Sequence, residues 1–202
     1  MVLAVNELVP GVLHWKAVHP KIEVEVSSYY LPDSGTLIDP LLPPGGLDRF
    51  KELRDPERVL LTNRHHLRHS EDFVREFGCT IHCHEAGLHE FEGGPEVEGF
   101  SFGDELGPGI TAEEVGVLCP EETALHISAG KGLLSVADGV MNYEGLRFVS
   151  DPLLGDDPEE IKRGLRSAYW RLCELDFDAL LVAHGDPIPE GAKEQLREFS
   201  QG

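Results

Sequence analysis

Apolar and polar residues alternate over residues 22–30, where Ile22, Val24 and Val26 interleave with Glu23, Glu25 and Ser27. That two-residue period predicts a half-buried strand. Pro32, Asp33, Ser34 and Gly35 supply turn chemistry, and residues 36–39 (Thr-Leu-Ile-Asp) predict the returning strand of a hairpin. The pattern then breaks over residues 40–46. A short helix is expected over 47–53, and the uninterrupted run Arg58-Val59-Leu60-Leu61-Thr62 predicts a strand buried on both faces. Phe73, Val74 and Phe77 stand at helical spacing within 70–77, with Gly78 placed to stop the helix, and 79–83 predict a further strand.

Residues 92–116 are rich in glycine and acidic side chains, with strand-like fragments at 100–102 and 110–115. Residues 123–127 and 133–137 predict a hairpin joined by the short Gly-containing segment 128–132. The clearest helix runs over 158–175. Asp157 stands at its N-cap, Pro158 at its first position and Glu160 at the capping-box position. Its apolar stripe is Ile161, Leu165, Ala168, Leu172 and Cys173. Residues 179–182 predict another buried strand, and 191–199 another helix.

Composition narrows the classes. A chain of 202 residues, 41% apolar and 27% charged, is that of one ordinary globular domain over 1–202. The formal charge of -20, from 37 acidic against 17 basic residues, repels phosphate backbones and anionic lipid, so neither nucleic acid nor membrane is expected as a partner. The first eleven residues carry no basic region before a long apolar run, and no stretch approaches the roughly eighteen apolar residues of a membrane span. A cytoplasmic location is expected. Four cysteines (Cys79, Cys83, Cys119, Cys173) are too sparse for a disulfide framework, and reduced thiols are expected.

Three apolar runs end in polar clusters: 59–61 before Asn63 to His69, 133–137 before Asp138, and 180–182 before His184. Strand ends are where a rigid sheet holds loop side chains in place. A further loop, Cys119-Pro120-Glu121-Glu122-Thr123, precedes the central hairpin. The side chains on offer are imidazoles and carboxylates, a set that suits Zn, Mn or Fe.

In their order these clusters resemble the metallo-β-lactamase superfamily over nearly the whole chain. Leu37-Ile38-Asp39 matches that family's Leu-Ile-Asp-like strand, and residues 62–69 its Thr-His-X-His-X-Asp-His segment. Pro120 to Thr123 match its Pro-Gly-His-Thr loop, Ala137-Asp138-Gly139 its Gly-Asp, and Ala183-His184-Gly185 its C-terminal Gly-His or His-Gly. The resemblance implies an α/β (α+β) fold, a four-layer αββα sandwich of two mixed β-sheets flanked by helices. Matched residue by residue, it puts His66 on the second histidine and His69 on the last, Asp138 and His184 on their own stations, and Glu122 in place of the third-station histidine. Arg64 and Arg68 then replace a histidine and the aspartate. A register shifted by one would place Asn63, His65, Leu67 and Arg68 there and keep one ligand.

Arginine has no lone pair for a metal. The resemblance therefore implies not a two-metal site but one divalent metal, Zn foremost with Mn or Fe as alternatives, or none if the site has fully degenerated. Its ligands would be His66, His69, Asp138 and His184 with Glu122, and His66 and Asp138 would carry the chemistry. The implied activity is hydrolysis of a small ester, thioester, amide or phosphoester, with Arg64 and Arg68 receiving an anionic group of a small-molecule substrate. The alternative is a catalytically silent relative that binds an anionic ligand or a protein through the same pocket. Taken singly the residues have blander roles: the histidines as solvated helix-end residues, Asp138-Gly139 as a turn, Glu122 as one more surface carboxylate. A second cluster, Cys79, His82, Cys83, His84 and His89, resembles a structural zinc site by count. On a strand, however, His82 and His84 share one face while Cys83 takes the other.

Overall fold

The structure, a computed structural model, describes residues 5–202. They gather into two compact units, the first ending at Phe100 and the second spanning Ser101–Gly202.

The first unit is one seven-stranded sheet with its strands in sequence order. It comprises β1 (Asn6–Val9), β2 (Val12–Val18), β3 (Glu25–Leu31), β4 (Thr36–Ile38), β5 (Arg58–Leu60), β6 (Thr80–His84) and β7 (Glu98–Phe100), with α1 (Ser70–Phe77) between β5 and β6. Pairing is antiparallel from β1 to β4 and parallel from β4 to β7, so the sheet is mixed. The β3–β4 hairpin and the buried β5 stand where the sequence pattern puts them. The predicted start of β3 does not. Ile22 and Val24 are exposed at 55% and 40%, because Glu23 adopts a positive φ of 55° and the His19 amide closes a turn onto the Val24 carbonyl. From Val26 to Leu31 every residue is buried, so the strand proper carries no alternation. The core gathers round Phe50, whose ring meets Trp15, Tyr30 and Phe73 edge-on at 5.4–5.5 Å.

The second unit holds β8 (Glu105–Gly107), β9 (Ile110–Glu114), β10 (Thr123–Ile127), β11 (Leu133–Val136), the short pair β12 (Met141–Asn142) and β13 (Leu146–Arg147), α2 (Pro158–Leu172), β14 (Ala179–Val182) and α3 (Ala192–Gln201). Its main sheet runs β14-β11-β10-β9-β8. The predicted hairpin of β10 and β11 forms with Leu125 opposite Ser135, and β14 joins β11 in parallel. Asp157 caps α2 by accepting the Glu160 amide at 3.0 Å. The helix stops at Leu172, three residues short of the predicted end, with Cys173 as its C-cap. Leu165, Ala168, Leu172 and Cys173 of the predicted stripe are buried and Ile161 partly so, with Tyr169 buried beside them, against Leu134, Val136, Leu180, Val182 and Leu196. No helix among the described residues is long and apolar enough to cross a membrane.

Candidate metal centre

In the first unit β5 lies between β4 and β6, with Ile38 opposite Leu60. Asp39 and the residues after Leu60 therefore leave the sheet at the same end. Asp39 sits in the left-handed region (φ 47°), which an aspartate tolerates, and is buried to 2% exposure. Its carboxylate collects three contacts. Thr62 gives its amide to Oδ1 at 2.9 Å and its hydroxyl to Oδ2 at 2.5 Å, while His66 Nδ1 lies 2.9 Å from Oδ2. Burial on its own raises the carboxyl pKa. The His66 imidazole, then Arg68 and the Thr62 hydroxyl, outweigh that and hold it below the usual carboxylate range.

This pairing fixes the chemistry of His66. A carboxylate accepts only, so in the neutral ring Nδ1 carries the proton and Nε2 keeps the lone pair a metal requires. His69 is arranged the other way round. Its Nδ1 accepts the Leu42 amide at 3.0 Å, so the proton of the neutral ring resides on Nε2. Arg68, another residue of positive φ (45°), donates through Nη1 to the backbone oxygens of Ser27 at 2.7 Å and Asp39 at 2.6 Å. Arg64 Nε stands 4.0 Å from a Glu90 carboxylate oxygen. Asn63 accepts the His65 amide at 2.9 Å and so caps the 3-10 turn that carries His66.

In the second unit Val136 of β11 is opposite Val182 of β14. Asp138 and His184, each two residues further on, emerge side by side, with His184 Nε2 3.1 Å from Asp138 Oδ1. Gly185 lets the chain turn there. Its φ is 91°, and a Cβ would lie 1.9 Å from the Asn142 carbonyl oxygen. Glu122 is fully buried, and both its oxygens are engaged by backbone: Oε1 accepts the Gly139 amide at 2.9 Å and Oε2 the Leu118 amide at 3.1 Å.

The cysteine–histidine cluster does not converge. Cys79 and Cys83 are both buried, and burial pushes the Cys79 thiol up to about 11. His82 Nε2 contacts the Thr80 hydroxyl, His84 accepts the Ala86 amide, and His89 donates to the Ala86 carbonyl. Asp39 is the residue that the sequence alone did not assign to the site. The available signal was a charged residue ending an apolar strand beside a neighbour that ends in Thr62.

Solved structures of other proteins share this architecture. A metallo-β-lactamase family protein of Thermus thermophilus superposes with a TM-score of 0.69 at 17% identity, covering 96% of this chain and 80% of its own. This is the metallo-β-lactamase fold. BJP-1, a subclass B3 metallo-β-lactamase of Bradyrhizobium japonicum, shares the fold at TM-score 0.65 and 16% identity, over 97% of this chain and 89% of its own. So does a mutant flavo di-iron protein of Thermotoga maritima, at TM-score 0.65 and 15% identity, over 98% of this chain and 60% of its own. No family profile and no curated protein sequence matches the chain. One fold thus carries β-lactamases and di-iron proteins alike, and function must be argued from the site.

Proposed function

We propose that the chain is a metal-dependent hydrolase of the metallo-β-lactamase fold, using one divalent metal held by His66, Asp138 and His184. What supports this is the donor chemistry inside each unit, His66 with its Nδ1 on Asp39 in the first and the Asp138–His184 pair in the second, two imidazoles and a carboxylate of the kind that binds one ion and leaves a position open. Asp39 supports it from behind. A carboxylate on Nδ1 is the usual partner of a histidine that ligates through Nε2. His69 and Glu122, both candidates from the sequence, are engaged by backbone amides and do not enter this ligand set.

A bound divalent metal of this kind, Zn, Mn or Fe, polarises a carbonyl or phosphoryl group and activates water. The protein's own part is to present Nε2 of His66, hold the Asp138 carboxylate beside His184, and offer positive charge to an anionic group. Arg64 is suited to that last task. Arg68 carries part of its guanidinium on the Ser27 and Asp39 carbonyls, so its charge is anchored at the strand ends. A small ester, thioester, amide or phosphoester bearing an anionic group is the substrate class that fits.

The test is a panel of generic esters, thioesters, amides and phosphoesters, assayed with the Zn-, Mn- and Fe(II)-loaded protein and with the chelated protein. Metal-dependent turnover of at least one class, lost in His184→Ala, is the expected result. Metal binding with no turnover across the panel would favour the silent ligand-binding alternative.

A further inference from the structure

The outer side of α2 carries a stripe that the described residues leave uncovered. Arg163, Ser167, Trp170 and Glu174 follow one another at spacings of four, three and four residues, which lines them up on one face over three turns, roughly 16 Å. All four are exposed, Trp170 at 43%. Glu174 stands just past the last helical residue, but its amide still closes a turn onto the Arg171 carbonyl at 3.1 Å and keeps it on the stripe.

The charges at the two ends of the stripe are the ones left unpaired. Lys162 binds Asp151 and Glu159 at 2.9 and 2.8 Å, Arg171 donates to the Glu114 carbonyl at 2.8 Å, and Arg166 lies over the Phe148 ring at 5.0 Å. Arg163 and the Glu174 carboxylate form no ion pair or hydrogen bond among the described residues. A single exposed ring would mean little. The order of the stripe, cation, small residue, aromatic, anion, is what distinguishes it, because the reversed order is its complement. A second copy of α2 laid antiparallel, with the two-fold axis between Ser167 and Trp170, sets Arg163 opposite Glu174 twice and places each Trp170 ring against a small Ser167.

A partner bearing one sign of charge would satisfy one end of the stripe and repel the other. A second copy satisfies both. The chain's net charge of -20 opposes the approach of two copies, and that cost is least where the surface is locally neutral, as it is here. We propose that this face of α2 is a self-association surface, on which two copies pair antiparallel through Arg163–Glu174 ion pairs around a Trp170–Ser167 centre. Three helical turns bury less than the roughly 1,200 Å² of a standard interface, so the dimer is transient, with a Kd on the order of 100 µM. Neither this surface nor the metal proposal rests on the other.

The test is sedimentation of the full chain from well below to well above that concentration. The wild type should pass from monomer to dimer mass. Arg163→Glu and Glu174→Arg should each weaken association at least about tenfold, since two ion pairs become two like-charge contacts, and the double swap should restore it to within about threefold. Trp170→Ala should also weaken it about tenfold. The single swaps move the net charge in opposite directions, so association governed by overall charge would weaken in Arg163→Glu and strengthen in Glu174→Arg. Thermal melting checks that each variant folds, and Arg163→Gln, expected to weaken association several-fold, replaces Arg163→Glu if that variant does not. A wild type that stays monomeric throughout, a dimer indifferent to the single swaps, or a double swap that fails to restore pairing would overturn the proposal.

Discussion

His66 Nδ1 lies 2.9 Å from Asp39 Oδ2, and that contact leaves Nε2 as the nitrogen with a lone pair to give. Asp39 is itself held by Thr62, just past the end of the neighbouring parallel strand, so the imidazole is oriented by the sheet.

Asp39→Asn should therefore weaken metal binding by about 10- to 100-fold. The carboxamide keeps an oxygen for the Thr62 amide but turns its NH2 toward His66, which drives the imidazole proton onto Nε2. Isothermal titration with Zn measures the loss. The same substitution should lower folding stability by about 2 kcal/mol, as expected for losing hydrogen bonds to a buried charged acceptor.

The Asp39 carboxyl also sets an acid limit. Its pKa in the folded protein is below the ordinary value, so the unfolded chain binds the proton more readily. The stabilisation is then fully present above the ordinary carboxylate range and is lost as pH falls through the lower folded value. Urea unfolding of the metal-free protein at a series of pH values from neutral down to about 3 should show stability falling toward acid. Asp39→Asn should flatten that part of the profile. A profile unchanged in Asp39→Asn would mean that other carboxylates carry the effect.

His69 is the control. With Nδ1 accepting the Leu42 amide, His69→Asn can place its Oδ1 on the same amide, and metal affinity should stay within about threefold of wild type. A loss as large as that of His66→Ala would put His69 back among the ligands.

Much of this was legible in the sequence because buried parallel strands and capped helices announce themselves. The apolar run of β5, the β10–β11 hairpin and the Asp157–Pro158 start of α2 are local signals, and all three form as the pattern implies. What was hidden depended on pairing. The first strands, β1 and β2, carry too mixed a pattern to be picked out. The false alternation at Ile22 and Val24 arises because a turn closed by Glu23 can hold apolar residues in solvent. The candidate site divides the same way. His66, Asp138 and His184 were nameable from their places after apolar strands. The role of Asp39, and the engagement of His69 and Glu122 by backbone amides, follow from hydrogen bonds between residues 17 to 27 positions apart, which no local pattern encodes.

The most direct test of the single-metal centre is the metal content of the purified protein after loading in turn with Zn, Mn and Fe(II), read by elemental analysis beside His66→Ala and His184→Ala. One ion per chain in the wild type, lost in both variants, is the expected result, because Arg64 and Arg68 offer no lone pair to a second ion. Two tightly held ions in the wild type, or one ion that survives the loss of His184, would contradict it.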